Sequence, residues 1–180
     1  MAAQRIKGKT IFKRETIRIV EALRVSPKGK VKKKALIDLS DVSVVIPVKS
    51  DGKLIMENHY RYAADKWLME LPAGKVDDNE DPKVCAKREL EEETGYRSEK
   101  IRYLATFYVM PGRSNYRIHL YLATKLRKTS TQKLDEDEFL QVKEIGFPKL
   151  MKMLKAGKIE DQKSATALLY YAAFSKIKKV

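Results

Sequence analysis

Between Gly74 and Tyr96 the chain reads GKVDDNEDPKVCAKRELEEETGY, and three carboxylates in it are arranged for chemistry. Glu89 and Glu93 are four residues apart and Glu89 and Glu92 three, spacings that put all three on one face of a helix. Like charges so placed repel each other, and a bound cation relieves the repulsion. Hard divalent ions such as Mg²⁺ take oxygen ligands and bind through carboxylates together with substrate phosphates. A glutamate run is in general a solvated acidic helix face. That plainer reading explains neither Glu80 and Arg88, whose opposite charges can tie the preceding loop to the helix, nor Gly74, which permits a turn or a close approach.

Those residues need a scaffold, and the rest of the chain reads as a mixed α/β domain. Val42–Val48 is apolar apart from Ser43 and of strand length, as in a strand buried on both faces. Ser50-Asp51-Gly52 is a turn, and residues 53–60 form the next strand. A helix spans residues 81–94, with Pro82 at its start and Gly95 just past its end. Strands follow over 101–109 and 116–124, then helices over 148–154 and 164–177. Upstream, TIRIVEALRV (residues 16–25) is rich in β-branched residues. Ser26-Pro27-Lys28-Gly29 turns it into a second strand near 31–39. A lone hairpin is marginal in water, so this one packs on the main domain or on a partner subunit.

The 180 residues suit one domain with a small appendage, at 43% hydrophobic and 34% charged residues. Lys and Arg exceed Asp and Glu by 14, and residues 1–34 alone carry twelve basic and two acidic residues. This balance favours polyanionic partners, whether nucleic acid, anionic membrane or a phosphorylated small molecule. Cys85 is the only cysteine, which excludes an intramolecular disulfide and argues against a Cys-ligated structural zinc. No apolar run reaches the roughly 18–20 residues of a membrane span. The N-terminal MAAQRIKGKTIFKRE has no secretory apolar stretch, so a soluble cytoplasmic protein is expected.

The stretch from Gly74 resembles the Nudix box: glycine, five residues, Glu, seven residues, then Arg-Glu-apolar-x-Glu-Glu-x-Gly-apolar. Gly74, Glu80, Arg88, Glu89, Leu90, Glu92, Glu93, Gly95 and Tyr96 occupy its places without departure. The resemblance implies an α/β/α sandwich with a mixed sheet, here with a small N-terminal β-hairpin or antiparallel sheet extension. It implies metal-dependent hydrolysis of a nucleoside diphosphate linked to another moiety. By it Glu89, Glu92 and Glu93 are catalytic, metal-binding carboxylates, while Gly74, Glu80, Arg88 and Gly95 form the scaffold of the box.

The flanks are similar to the ADP-ribose pyrophosphatase group within that family. Glu70-Leu71-Pro72-Ala73 runs into the box, Pro111 lies sixteen residues after Gly95, and His59-Tyr60-Arg61 and Asp135–Phe139 (DEDEF) match nearby features. The likeness implies the Ala73 carbonyl as a further metal ligand, Arg61 on substrate phosphate, and Glu70, Pro111 and Gly112 in the same pocket. It also implies a homodimer in which residues 1–40 are the dimerisation element and 41–180 the hydrolase domain. One departure stands out: where the group often carries an acidic pair after Pro-Gly, this chain has Asn115-Tyr116. Neither is suited to act as a base at neutral pH. The role then passes to Glu92, Glu136 or Glu138, of which Glu138 is the assigned candidate, or to water acidified by the metal alone. Arg113 and Tyr116 are candidate substrate ligands. The expected reaction is cleavage of ADP-ribose to AMP and ribose 5-phosphate with Mg²⁺, or with Mn²⁺ or another divalent ion. The alternatives are another nucleotide sugar or dinucleotide, or a module that binds nucleotide or RNA with little hydrolysis.

Overall fold

The computed structural model describes residues 5–129, 131–134 and 136–174. Two sheets form the body. In the first, β4 (Val42–Pro47) lies between β7 (Ala73–Lys75) and β9 (Arg117–Lys128), and β8 (Tyr96–Tyr108) pairs with the outer edge of β9. The β4–β9 ladder is parallel, with Val44 opposite Leu120, and the other two ladders are antiparallel. In the second sheet β5 (Lys53–Arg61) runs between β6 (Lys66–Glu70) and β10 (Leu140–Gly146), all antiparallel.

Alternation along β4 divides the core. Val45 faces α1 (Pro82–Thr94) and packs with Ala86, Leu90, Tyr121 and Ala123. Val44 and Ile46 point the other way, into a cluster with Leu54 and Met56 of β5. Leu150 of α2 (Phe147–Lys155) and Ala167 and Leu168 of α3 (Gln162–Phe174) close that cluster. The result is a mixed sheet with helices on both sides, as the resemblance implied. Strands β6 and β7 were not evident in the sequence, β8 begins earlier than expected, and the end of the last helix at 175–177 lies outside the described residues. No helix among the described residues is long and apolar enough to cross a membrane.

The N-terminal extension is a three-stranded antiparallel sheet, in which the expected hairpin gains one further strand. β2 (Ile17–Val25) pairs with β3 (Val31–Asp38) as the sequence suggested, and β1 (Lys9–Arg14) adds a strand on its other edge. Every position of β1 is exposed, so its sequence, KTIFKR, lacks the alternation that marks a half-buried strand. Asp38 docks this sheet on the body. Its fully buried carboxylate accepts from the Arg18 guanidinium, from the Ile6 N–H (3.1 Å) and from Asn115 Nδ2 (2.8 Å). Asn115 Oδ1 in turn accepts the Leu39 N–H at 3.0 Å, and the Ile37 N–H bonds the Arg113 carbonyl at 2.9 Å. The loop after Pro111 therefore serves as a clamp between the two parts.

Candidate active site

Helix α1 is fixed at both ends. The Asp81 side chain accepts the Lys83 N–H (2.8 Å), an N-cap worth about 1 kcal/mol. Gly95 closes the helix in the left-handed region (φ 72°), where its N–H reaches the Glu91 carbonyl. Between these caps Arg88 gathers the box. Its guanidinium bonds both Glu80 oxygens at 3.0 Å, Glu89 at 2.6 Å, Glu92 at 3.1 Å and the Lys75 carbonyl at 3.1 Å. Hydrogen bonding to Glu80 first, and the charge of Glu89 with it, holds Arg88 firmly protonated.

Gly74 meets a different need from a turn. A Cβ on it would lie 1.9 Å from both Cδ and Oε1 of Glu89, so the carboxylate occupies the space a side chain would take. Glu93 is buried and accepts the Ala73 N–H at 2.9 Å. Burial raises Glu89 to about 7 against the opposing pull of Arg88, with Glu92 and Glu138 adding to the rise. Glu93 is raised for the same first reason, and by the neighbouring Glu57 and Glu89. A cavity of about 570 Å³ opens over this group. Glu89, Glu92, Glu93 and Glu138 line it beside Ala73, Gly74 and Arg88, and Arg61, Lys163 and Tyr116 also border it.

Beneath the rim, buried Glu70 forks with Arg61 (2.8 and 2.8 Å) and takes Lys163 Nζ at 3.2 Å. Burial would lower Lys163, but Glu70 and Asp161 outweigh it and keep the ammonium charged. Glu70 thus orients two cations toward the cavity.

Strand β5, which carries the expected phosphate contact Arg61, adds two residues that the sequence had not marked for the site, Glu57 and His59. Glu57, His59 and Arg61 alternate on one face, and Glu57 and His59 are almost wholly buried. Burial first, then Arg61, lowers His59 to about 4, so its ring is neutral at neutral pH and its 3.8 Å approach to Glu138 is no ion pair. The alternation at i, i+2 and i+4 is visible in the sequence. Lys163 had no such local signal, because it reaches the cavity from α3, about ninety residues from Glu70.

Other candidates fall elsewhere. Pro111, Gly112 and Arg113 do not border this cavity, and Asn115 is spent on the clamp to Asp38. Glu136 is also away from the lining. Burial raises the Cys85 thiol to about 12, which leaves it no role as a nucleophile.

A partly buried acidic helix face that shares one open cavity with Arg61 and Lys163, on this sandwich, defines a class. The NUDIX domain family matches residues 39–169, and the chain belongs to that family as a Nudix hydrolase. It is 35% identical to the methanol dehydrogenase activator of Bacillus methanolicus over 166 residues, covering 92% of this chain and 90% of that protein. It is also 35% identical to the ADP-ribose pyrophosphatase of Bacillus subtilis (strain 168) over 145 residues, 80% of this chain and 78% of that one. The fold superimposes on a solved ADP compounds hydrolase with a TM-score of 0.80 at 18% identity, over 96% of this chain and 94% of the other.

Proposed function

We propose that the chain hydrolyses the diphosphate of ADP-ribose to AMP and ribose 5-phosphate, with Mg²⁺ or Mn²⁺ as the divalent ion. One observation carries the reading: a single cavity sets four carboxylates against Arg61 and Lys163, an arrangement suited to a polyanion bridged by cations. The residues fit a hard cation. Glu89, Glu92 and Glu93 offer oxygens on one face beside Ala73, and the Gly74 cradle holds the Glu89 carboxylate where a side chain would displace it. When bound, the ion would neutralise phosphate oxygens and acidify water.

The chain's own groups do the remaining work. Arg61 and Lys163, braced by Glu70, hold the diphosphate from the wall of the cavity that the carboxylates also line. Glu138 borders the cavity with one flank exposed, and its carboxylate takes the proton as water attacks one phosphorus in line. The bridging P–O bond breaks and the leaving phosphate keeps its electron pair. Tyr116 lines the wall where a base or ribose can lie. The ADP-ribose pyrophosphatase relative supports the choice of substrate.

The reading includes a homodimer in which residues 1–40 are the assembly element beside a 41–180 hydrolase domain. Ile11, Phe12, Leu23, Val25 and Val31 of the N-terminal sheet are exposed, an apolar surface that a second copy would cover. Purified protein incubated with ADP-ribose, with Mg²⁺ or with EDTA, tests the activity by chromatography of the nucleotides. Metal-dependent AMP is expected. Its absence, with turnover of GDP-mannose or a dinucleotide instead, would discard ADP-ribose and keep the class. Light scattering on the same sample reports the dimer.

A further inference from the structure

We infer that Glu57, His59 and Glu93 form a second, buried metal site for a divalent ion that accepts imidazole, Zn²⁺ or a first-row neighbour, behind the box carboxylates. One ligand atom from each of the three lies within 4.8 Å of the others. All three side chains are enclosed, at 1%, 4% and 3% exposure. The cluster alone would prove little, but Glu57 Oε1 and His59 Nδ1 are buried with no hydrogen-bond partner. Leaving such atoms unpaired costs roughly 1–3 kcal/mol each, and more if charged. Two buried polar atoms without partners, on residues whose ligand atoms converge with a third carboxylate, are what a bound cation would satisfy.

The donor set selects the ion. Mg²⁺ demands octahedral oxygen ligation and keeps several waters, which a set of buried ligands that includes an imidazole does not suit. One neutral imidazole and two carboxylates instead make the nitrogen–oxygen set that zinc and its neighbours take. At Zn–ligand distances near 2.0–2.2 Å the ligand atoms of a tetrahedral site stand about 3.4 Å apart, inside the 4.8 Å limit within which these three lie. Glu93 belongs to both sites and so couples them. The inference does not depend on ADP-ribose being the substrate.

The chain has only two histidines, so their imidazole nitrogens can be followed directly. His119 is already engaged on both sides, Nδ1 with Thr106 at 2.8 Å and Nε2 with Asp41 at 2.9 Å. The test uses untagged, EDTA-stripped protein in excess Mg²⁺, titrated with Zn²⁺ and followed by long-range ¹H–¹⁵N NMR of the imidazoles. One equivalent of Zn²⁺ should move a His59 nitrogen to a coordinated shift and leave His119 in place. Equilibrium dialysis should find one Zn²⁺ per chain, with affinity falling at least tenfold in Glu57→Gln and in His59→Gln. A His59 spectrum unchanged by Zn²⁺ would overturn the site, leaving a shared proton between Glu57 and Glu93 as its occupant. Equal zinc binding by wild type and folded His59→Gln would do the same. The wild-type spectrum decides the matter even if a variant does not fold.

Discussion

Gly74→Ala isolates the geometry of the metal face from its chemistry, because it removes no ligand. The added Cβ would sit 1.9 Å from Glu89 Cδ and Oε1 and 2.3 Å from Oε2, where ordinary contact begins at 3.4 Å. The obstacle is the end of a flexible side chain, so the fold yields by swinging the carboxylate about 1.5 Å or more out of its cradle. Overpacking of this kind costs about 1 kcal/mol of stability. Activity should suffer far more, since a displacement of 1 Å at a reacting centre can cost about 100-fold, or 2.7 kcal/mol of transition-state binding. The assay is AMP release against Mg²⁺ concentration, with thermal unfolding in EDTA alongside. The expected result is a fall of about 100-fold or more in kcat/KM, a higher Mg²⁺ requirement and a melting temperature within a few degrees of wild type. The cause is checked by combination. If the loss acts through Glu89, then Gly74→Ala added to Glu89→Gln should cost much less than it does alone. Wild-type activity in Gly74→Ala, or full additivity of the two changes, would refute the reasoning.

Other consequences follow from the same contacts. Asn115→Asp should not supply a catalytic base; it should place a carboxylate against buried Asp38 and destabilise the fold by about 3 kcal/mol, read from urea midpoints. Recovered stability or a gain in activity would contradict the clamp. Lys163→Met should raise KM about tenfold with a smaller change in kcat, because it removes a cation from the lining of the proposed substrate cavity; steady-state kinetics separate the two. In EDTA, stability should fall as pH rises from about 5 to 8. Glu89, raised to about 7 from an ordinary value of 4.5, keeps its proton in the folded state where the unfolded chain has lost it. That contribution is whole below 4.5 and gone above 7, and saturating Mg²⁺ should flatten the slope; melting curves across the range would show it.

The box was legible because its chemistry is local. Glu89, Glu92 and Glu93 share a face through helical spacing alone, Asp81 and Gly95 cap that helix from adjacent positions, and Arg88 reaches its partners within one loop and one helix. Strand β4 was equally plain, since burial on both faces writes a run that is apolar but for Ser43. Other elements depended on neighbours far along the chain. β1 and β7 are strands through pairing with β2 and β4, which no local preference announces. Asn115 looked like a missing acid until Asp38, seventy-seven residues away, claimed its amide.

The sequence by itself thus determined which carboxylates share a helix face and how that helix begins and ends, because those relations span three to eight residues. Tertiary structure alone decided what surrounds them. It brought Lys163 from α3 onto Glu70 and turned Glu57 and His59 of β5 toward Glu93 of α1. It also packed Glu89 against the backbone of Gly74. Burial and electrostatic coupling depend on distance in space, and separation along the chain does not encode that distance.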